Sequence, residues 1–158
     1  MATLEDLIAA GKIAKHEADL ENHELPERVV YFAPEFDAWS GGVLSGLGCQ
    51  HGRNRTPYEQ TEQILYEFVI GRRLAYGSAY HPLDPLSAHV WELKTPDVRL
   101  FGWFPQRGHL IIVCGELKEN LRKISDYAPH VGKVVAFRDA LDLDEPKAVT
   151  GVRQNEVL

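Results

Sequence analysis

The stretch His89–Glu116, HVWELKTPDVRLFGWFPQRGHLIIVCGE, constrains the fold more than any other part of the chain. Val90, Trp91 and Leu93 belong to one strand, Thr95-Pro96-Asp97 is turn chemistry, and Val98 to Phe104 is a second run rich in strand formers. Pro105-Gln106-Arg107-Gly108 turns the chain again, and Leu110-Ile111-Ile112-Val113 is apolar enough for a sheet centre. The segment therefore reads as an antiparallel meander. Side chains alternate across a strand, so Trp91, Leu93, Val98, Leu100 and Phe104 share an apolar face, while Val90, Glu92, Lys94, Arg99, Phe101 and Trp103 make a mixed one. The apolar face is expected to be buried. The mixed face is expected to stay open, with Lys94 and Arg99 flanking one turn beside two rings able to stack on planar groups.

The flanking segments supply helices and one more strand. Arg28–Phe32 reads as a strand, Glu35–Trp39 as a helical turn or two, and Gly41–Gly52 as a mobile surface loop. Thr56-Pro57-Tyr58-Glu59 is a helix start with an N-cap, a proline at the first helical position and a capping box. Tyr58, Ile64, Leu65, Phe68 and Val69 then recur at helical spacing toward Gly71. Tyr76–Leu86 reads as a loop, and Val131, Val134, Val135, Arg138 and Leu141 outline a helix to about Leu143. Thr3 can cap a helix running to about Ala18. The expectation is an α+β fold with an antiparallel sheet, a three-stranded meander plus an N-terminal strand, packed by helices. Residues 28–143 form the domain, residues 1–27 an acidic, solvated N-terminal extension, and residues 144–158 a C-terminal surface tail.

Charge and composition exclude several functions. Residues 1–27 carry two lysines against seven carboxylates, whereas residues 28–125 carry eleven basic and ten acidic side chains, so most of the net charge of −6 sits at the start. No apolar run approaches the roughly 20 residues a membrane span requires, and Glu5-Asp6 interrupts any secretory leader, so a cytoplasmic protein with no membrane partner is expected. Cys49 and Cys114 offer no disulfide framework. Cys49-Gln50-His51 has no companion ligand pair, the glycine-rich stretch lacks both the Walker and the dinucleotide patterns, and Ser45 lacks a nucleophile elbow. No metal or cofactor is expected.

The remaining chemistry is that of cations. Cleavage of RNA by its own 2′-hydroxyl requires alignment, a base, an acid and positive charge around the phosphorane, and no metal. Lys94 and Arg99 can supply that charge, with His89 or His109 as proton carrier. Arg107, Lys118, Arg122 and Lys123, with Phe101 and Trp103, would extend the surface that holds RNA.

Arg-Val-Val-Tyr-Phe followed by Pro-Glu-Phe-Asp-Ala-Trp, then a long helix, then Trp-Glu-Leu-Lys-Thr-Pro-Asp-Val-Arg-Leu-Phe-Gly-Trp-Phe resembles the RelE/ParE toxin superfamily, especially its phage-associated HigB-like branch. The resemblance spans roughly residues 28–123. It implies a RelE-like fold and, for the RNase members, ribosome-dependent mRNA cleavage, with an antitoxin or other protein partner in addition to the ribosome and mRNA. Lys94, Arg99 and His109 are the catalytic candidates. The chain is longer and more acidic than such toxins usually are, and where they often carry a lysine pair it has Gly115-Glu116-Leu117-Lys118-Glu119. The alternative expectation is a noncatalytic protein-binding module of phage or mobile-element origin on the same scaffold.

Overall fold

A computed structural model describes residues Met1–Leu158. Its centre is a six-stranded mixed sheet ordered β1-β2-β6-β5-β4-β3. The strands are β1 (Ala14–Lys15), β2 (Val29–Phe32), β3 (Tyr80–Pro82), β4 (Trp91–Lys94), β5 (Val98–Gln106) and β6 (His109–Leu117). β4, β5 and β6 pair antiparallel, with Lys94 opposite Arg99 and Gln106 opposite His109. β2 runs parallel to β6, pairing Tyr31 with Ile111. The sheet is thus wider than the expected meander plus one strand, and only mostly antiparallel. β3 was hidden in a segment read as a loop because Pro82 and Pro85 interrupt it, and β1 is too short to leave a periodic signal.

One face is covered by α2 (Pro34–Gly42) and α3 (Pro57–Val69). α3 starts where its sequence says it should. Thr56 Oγ1 accepts from Glu59 N at 3.1 Å, and the Glu59 carboxylate accepts from Thr56 N at 2.9 Å, so two otherwise unsatisfied donors are capped. Ile64, Leu65, Phe68 and Val69 then pack on Trp91, Leu93, Leu100, Phe104 and Ile112. α2 begins at Pro34 and outlasts the expected turn or two, running through the first glycines of the stretch read as a loop.

The other face is not open, contrary to expectation. α1 (Leu4–Ala9) and α4 (Ala128–Ala140) cover it, burying Phe101 and Trp103 completely. His130 stacks on Phe101 with centroids 4.8 Å apart, Phe137 meets Trp103 edge-on, and Trp103 Nε1 donates to Lys147 O at 2.8 Å. These rings are core side chains and have no face left for a base. The physical reason is a second apolar stripe, Val131 and Val134 on α4, which must also be removed from water.

Neither chain end lies free on the surface. Leu7 and Ile13 are buried in the second cluster and β1 pairs with Phe32 and Tyr31, so the N-terminal segment is tied to the body at these points while most of its residues are exposed. α1 is shorter than expected, ending before Gly11. At the other end α5 (Gln154–Val157) drives Val157 into the first cluster with no residual exposure, where a surface tail was expected. No helix is long and apolar enough to cross a membrane.

Candidate functional site

The sheet register decides which polar groups meet. His81 on β3 stands opposite Glu92 on β4, and Lys94 on β4 opposite Arg99 on β5, all on the α4 side. Glu92 is 1% exposed, which makes it the most deeply buried charged side chain in the protein. Its Oε1 lies 2.9 Å from His81 Nε2 and 3.8 Å from Lys94 Nζ. Its Oε2 is buried without a hydrogen-bond partner, as is Arg99 Nε. Arg99 Nη1 donates to its own turn, to Thr95 O at 2.5 Å and Val98 O at 3.0 Å. Unsatisfied buried charge of both signs within one cluster is costly, which separates this place from the rest of the core.

The surroundings of His81 favour its charged form. Nδ1 lies 2.8 Å from Pro82 O and Nε2 faces the Glu92 carboxylate; both are acceptors, so only the doubly protonated ring satisfies both. The hydrogen bond with Glu92 accordingly raises the His81 pKa, against an opposing push from burial. With the folded-state value raised, the stability His81 contributes is fully present below about 6.5, the ordinary histidine value, and is lost as pH rises through the folded value. His16, His109 and His130 are shifted downward by burial and act in the opposite sense, so the difference between native protein and His81→Gln isolates the effect. In urea denaturation over a pH series, that difference is expected to shrink as pH rises from about 6.5 through the raised folded-state value. A difference independent of pH would show that the pair does not titrate.

Tyr127, just before α4, closes the cluster by meeting Phe101 edge-on at 6.1 Å. Burial raises its phenol pKa, and the Glu92 charge adds to this. Beyond Phe101, Cys114 Sγ lies 3.9 Å from His130 Nδ1, which looks like a thiol–imidazole pair. Burial pushes the thiol up to about 12, however, so it is a protonated core group and no nucleophile.

A second polar centre fixes the β4–β5 turn. Asp97 accepts from Gln60 Nε2 at 2.6 Å and Arg53 Nε at 3.1 Å, while Gln60 Oε1 accepts from Thr95 Oγ1 at 3.0 Å and Asp97 N at 2.9 Å. Burial alone would raise the Asp97 pKa; the Gln60 and Arg53 hydrogen bonds more than reverse it and hold the carboxyl below its ordinary value. The buried side chains of Gln60, Thr95 and Asp97 are all satisfied, so this centre ties the turn carrying Lys94 and Arg99 to α3.

Of the residues singled out from sequence, Lys94 and Arg99 are brought together, and Lys118, Arg122 and Lys123 are exposed near the same end of the sheet. His109 is not with them. It pairs with Gln106 at the opposite turn, roughly 23 Å from Arg99 along β5 at the usual rise per residue. There its Nδ1 meets Tyr31 OH at 3.0 Å beside a cavity of about 550 Å³ that Arg107 also lines, and burial followed by the Lys15 charge lowers its pKa. Arg107 Nη2 donates to Leu158 O. His89 takes a left-handed backbone conformation, and its Nδ1 is buried without a partner. A site joining Lys94, Arg99 and His109 is therefore not formed. The histidine near Lys94 is His81, which sequence reading missed along with the strand that carries it; the clue available was Glu92, two residues before Lys94 and thus on the same face.

No group of histidine, cysteine and carboxylate side chains is placed to hold a metal ion. No known family, curated protein or solved structure matches the chain.

Proposed function

We propose that this is a RelE/HigB-like toxin-type protein whose chemistry is metal-independent cleavage of mRNA on the ribosome, centred on His81, Glu92, Lys94 and Arg99. The observation that carries the reading is the pairing of Lys94 with Arg99 across one turn, beside a histidine hydrogen-bonded to a buried carboxylate. The order of strand, helix, long helix and then strands ending in the antiparallel β4, β5 and β6 gives it further support, with the short β3 added before them. In this reading the 2′-hydroxyl passes its proton to solvent water as it attacks the adjacent phosphate, His81 delivers a proton to the departing 5′-oxygen, Glu92 favours the charged ring, and Lys94 offsets the charge gathering on the phosphorane. The His81 and Lys94 side chains are 27% and 26% exposed, so substrate reaches them past the β3 edge and not through the covered face.

The test is primer extension on mRNA from translating ribosomes incubated with purified protein. Native protein is expected to produce discrete cuts, His81→Ala to slow them by about 100-fold or more, and Lys94→Ala with Arg99→Ala to abolish them with the fold intact by circular dichroism. Uncut mRNA with native protein sinks the proposal. One observation favours the alternative of a noncatalytic protein-binding module: Arg99 spends Nη1 on the Thr95 and Val98 carbonyls, and α4 covers the face it shares. That reading expects intact mRNA in the same assay.

A further inference from the structure

At the turn end of the sheet, a recess of about 460 Å³ opens between the connection leading to α3 and the segment after β6. His51 and Arg53 line it from one side, Lys118, Glu119 and Arg122 from the other, with Asp97 between them. Both arginines are anchored through Nε: Arg53 to Asp97 Oδ1 at 3.1 Å and Arg122 to Glu119 O at 3.0 Å. Their Nη nitrogens have no protein partner, and Lys118 Nζ has none either, although the Lys118 backbone is fixed by its N–H donating to Asp97 O at 2.8 Å. A guanidinium held at Nε keeps its orientation while its terminal donors remain unspent, so less ordering is required when an oxyanion arrives.

The carboxylates of the recess, Asp97 and Glu119, are outnumbered by its cations, Arg53, Lys118 and Arg122. The Asp97 side chain is 5% exposed and already shared by Arg53 and Gln60. The Glu119 carboxylate faces His51 Nε2 at 3.6 Å. What remains is a set of cationic donors from separate segments, more than a carboxylate can use and suited to the several oxygens of a tetrahedral anion.

We infer that this recess is a phosphate-binding subsite, with the Nη groups of Arg53 and Arg122 and the Lys118 ammonium as its donors. The turn that separates it from Lys94 and Arg99 is the one fixed by Asp97, so a strand of RNA held here by one phosphate would run on toward that pair. The inference goes beyond cleavage and does not need it, because a phosphate could come from an RNA backbone or from a free phosphate ion.

Binding by the full chain distinguishes the two sources. The probes are a short single-stranded oligouridylate, followed by fluorescence anisotropy over a salt series, and inorganic phosphate, followed by calorimetry. For an RNA source, log affinity falls linearly with log salt, and Lys118→Ala with Arg122→Ala flattens the slope by about 0.7 for each phosphate contact removed. For a free-phosphate source, the calorimetric signal is present in native protein and lost in the same double variant, while oligouridylate binding is unaffected. Both side chains are exposed, so folding is expected to be retained. Arg53→Lys, which keeps the charge beside Asp97 but loses the fork, is expected to weaken whichever probe binds. Failure of both probes to bind, or unchanged binding of both by the double variant, overturns the inference. Since the readout is binding, a protein that holds RNA here yet cuts nothing counts against the cleavage proposal alone.

Discussion

Trp103→Ala is expected to destabilise the fold by about 3–5 kcal/mol, the range for removing a fully buried aromatic side chain from a core. Trp103 has no exposed surface, packs against Phe137, and gives its indole N–H to Lys147 O. Alanine would leave a cavity between sheet and α4 and strand that carbonyl, two costs that reinforce each other. The measurement is the urea midpoint at constant slope. A loss below about 1 kcal/mol, the scale of a surface substitution, would mean that α4 does not seal this face. The same variant therefore separates a core tryptophan from the RNA-stacking one expected from sequence.

Gly102→Ala is expected to cost about 3 kcal/mol or more, at or beyond the upper end for overpacking a core. A Cβ at Gly102 would lie 2.0 Å from the backbone oxygen of Ile111 and 2.9 Å from its carbonyl carbon. The obstacle is the neighbouring strand itself, at the register shift between Phe101 and Gly102, so no side chain can rotate out of the way. Relief requires β5 and β6 to part, which would also disturb the pairing that sets the His109 end of the sheet. Thermal and urea unfolding should agree on the loss. Native-like stability in this variant would show that the close approach of the two strands is not present.

Much of this fold was legible because it is written locally. Thr56, Pro57 and Glu59 specify the start of α3 through three neighbouring residues, and alternation assigned Trp91, Leu93, Leu100 and Phe104 to one face and Phe101 and Trp103 to the other. What alternation cannot say is whether a distant helix will cover the second face. One signal did bear on it: Leu110-Ile111-Ile112-Val113 is a continuous apolar run, the mark of a strand buried on both sides, and it pairs in parallel with β2. The site was legible only at Lys94 and Arg99, which flank a turn read from Thr95-Pro96-Asp97. His81 was lost with its proline-interrupted strand. The grouping with His109 failed because successive turns of a meander lie at opposite ends of its strands. Arg53 could not be placed beside Asp97 from sequence, since that contact joins segments far apart in the chain.

The sealing of the second sheet face by α4, which follows β6 in the chain, has a consequence for synthesis. When β6 has been made, Phe101 and Trp103 still lack α4, and the opposite layer still lacks Val157. A nascent chain at that stage has one face covered by α2 and α3 and the other, the α4 side, still bare, so its burial cannot advance strand by strand with elongation. It is then a client for a holding chaperone, and a pause in translation between residues 118 and 157 is a point of aggregation risk.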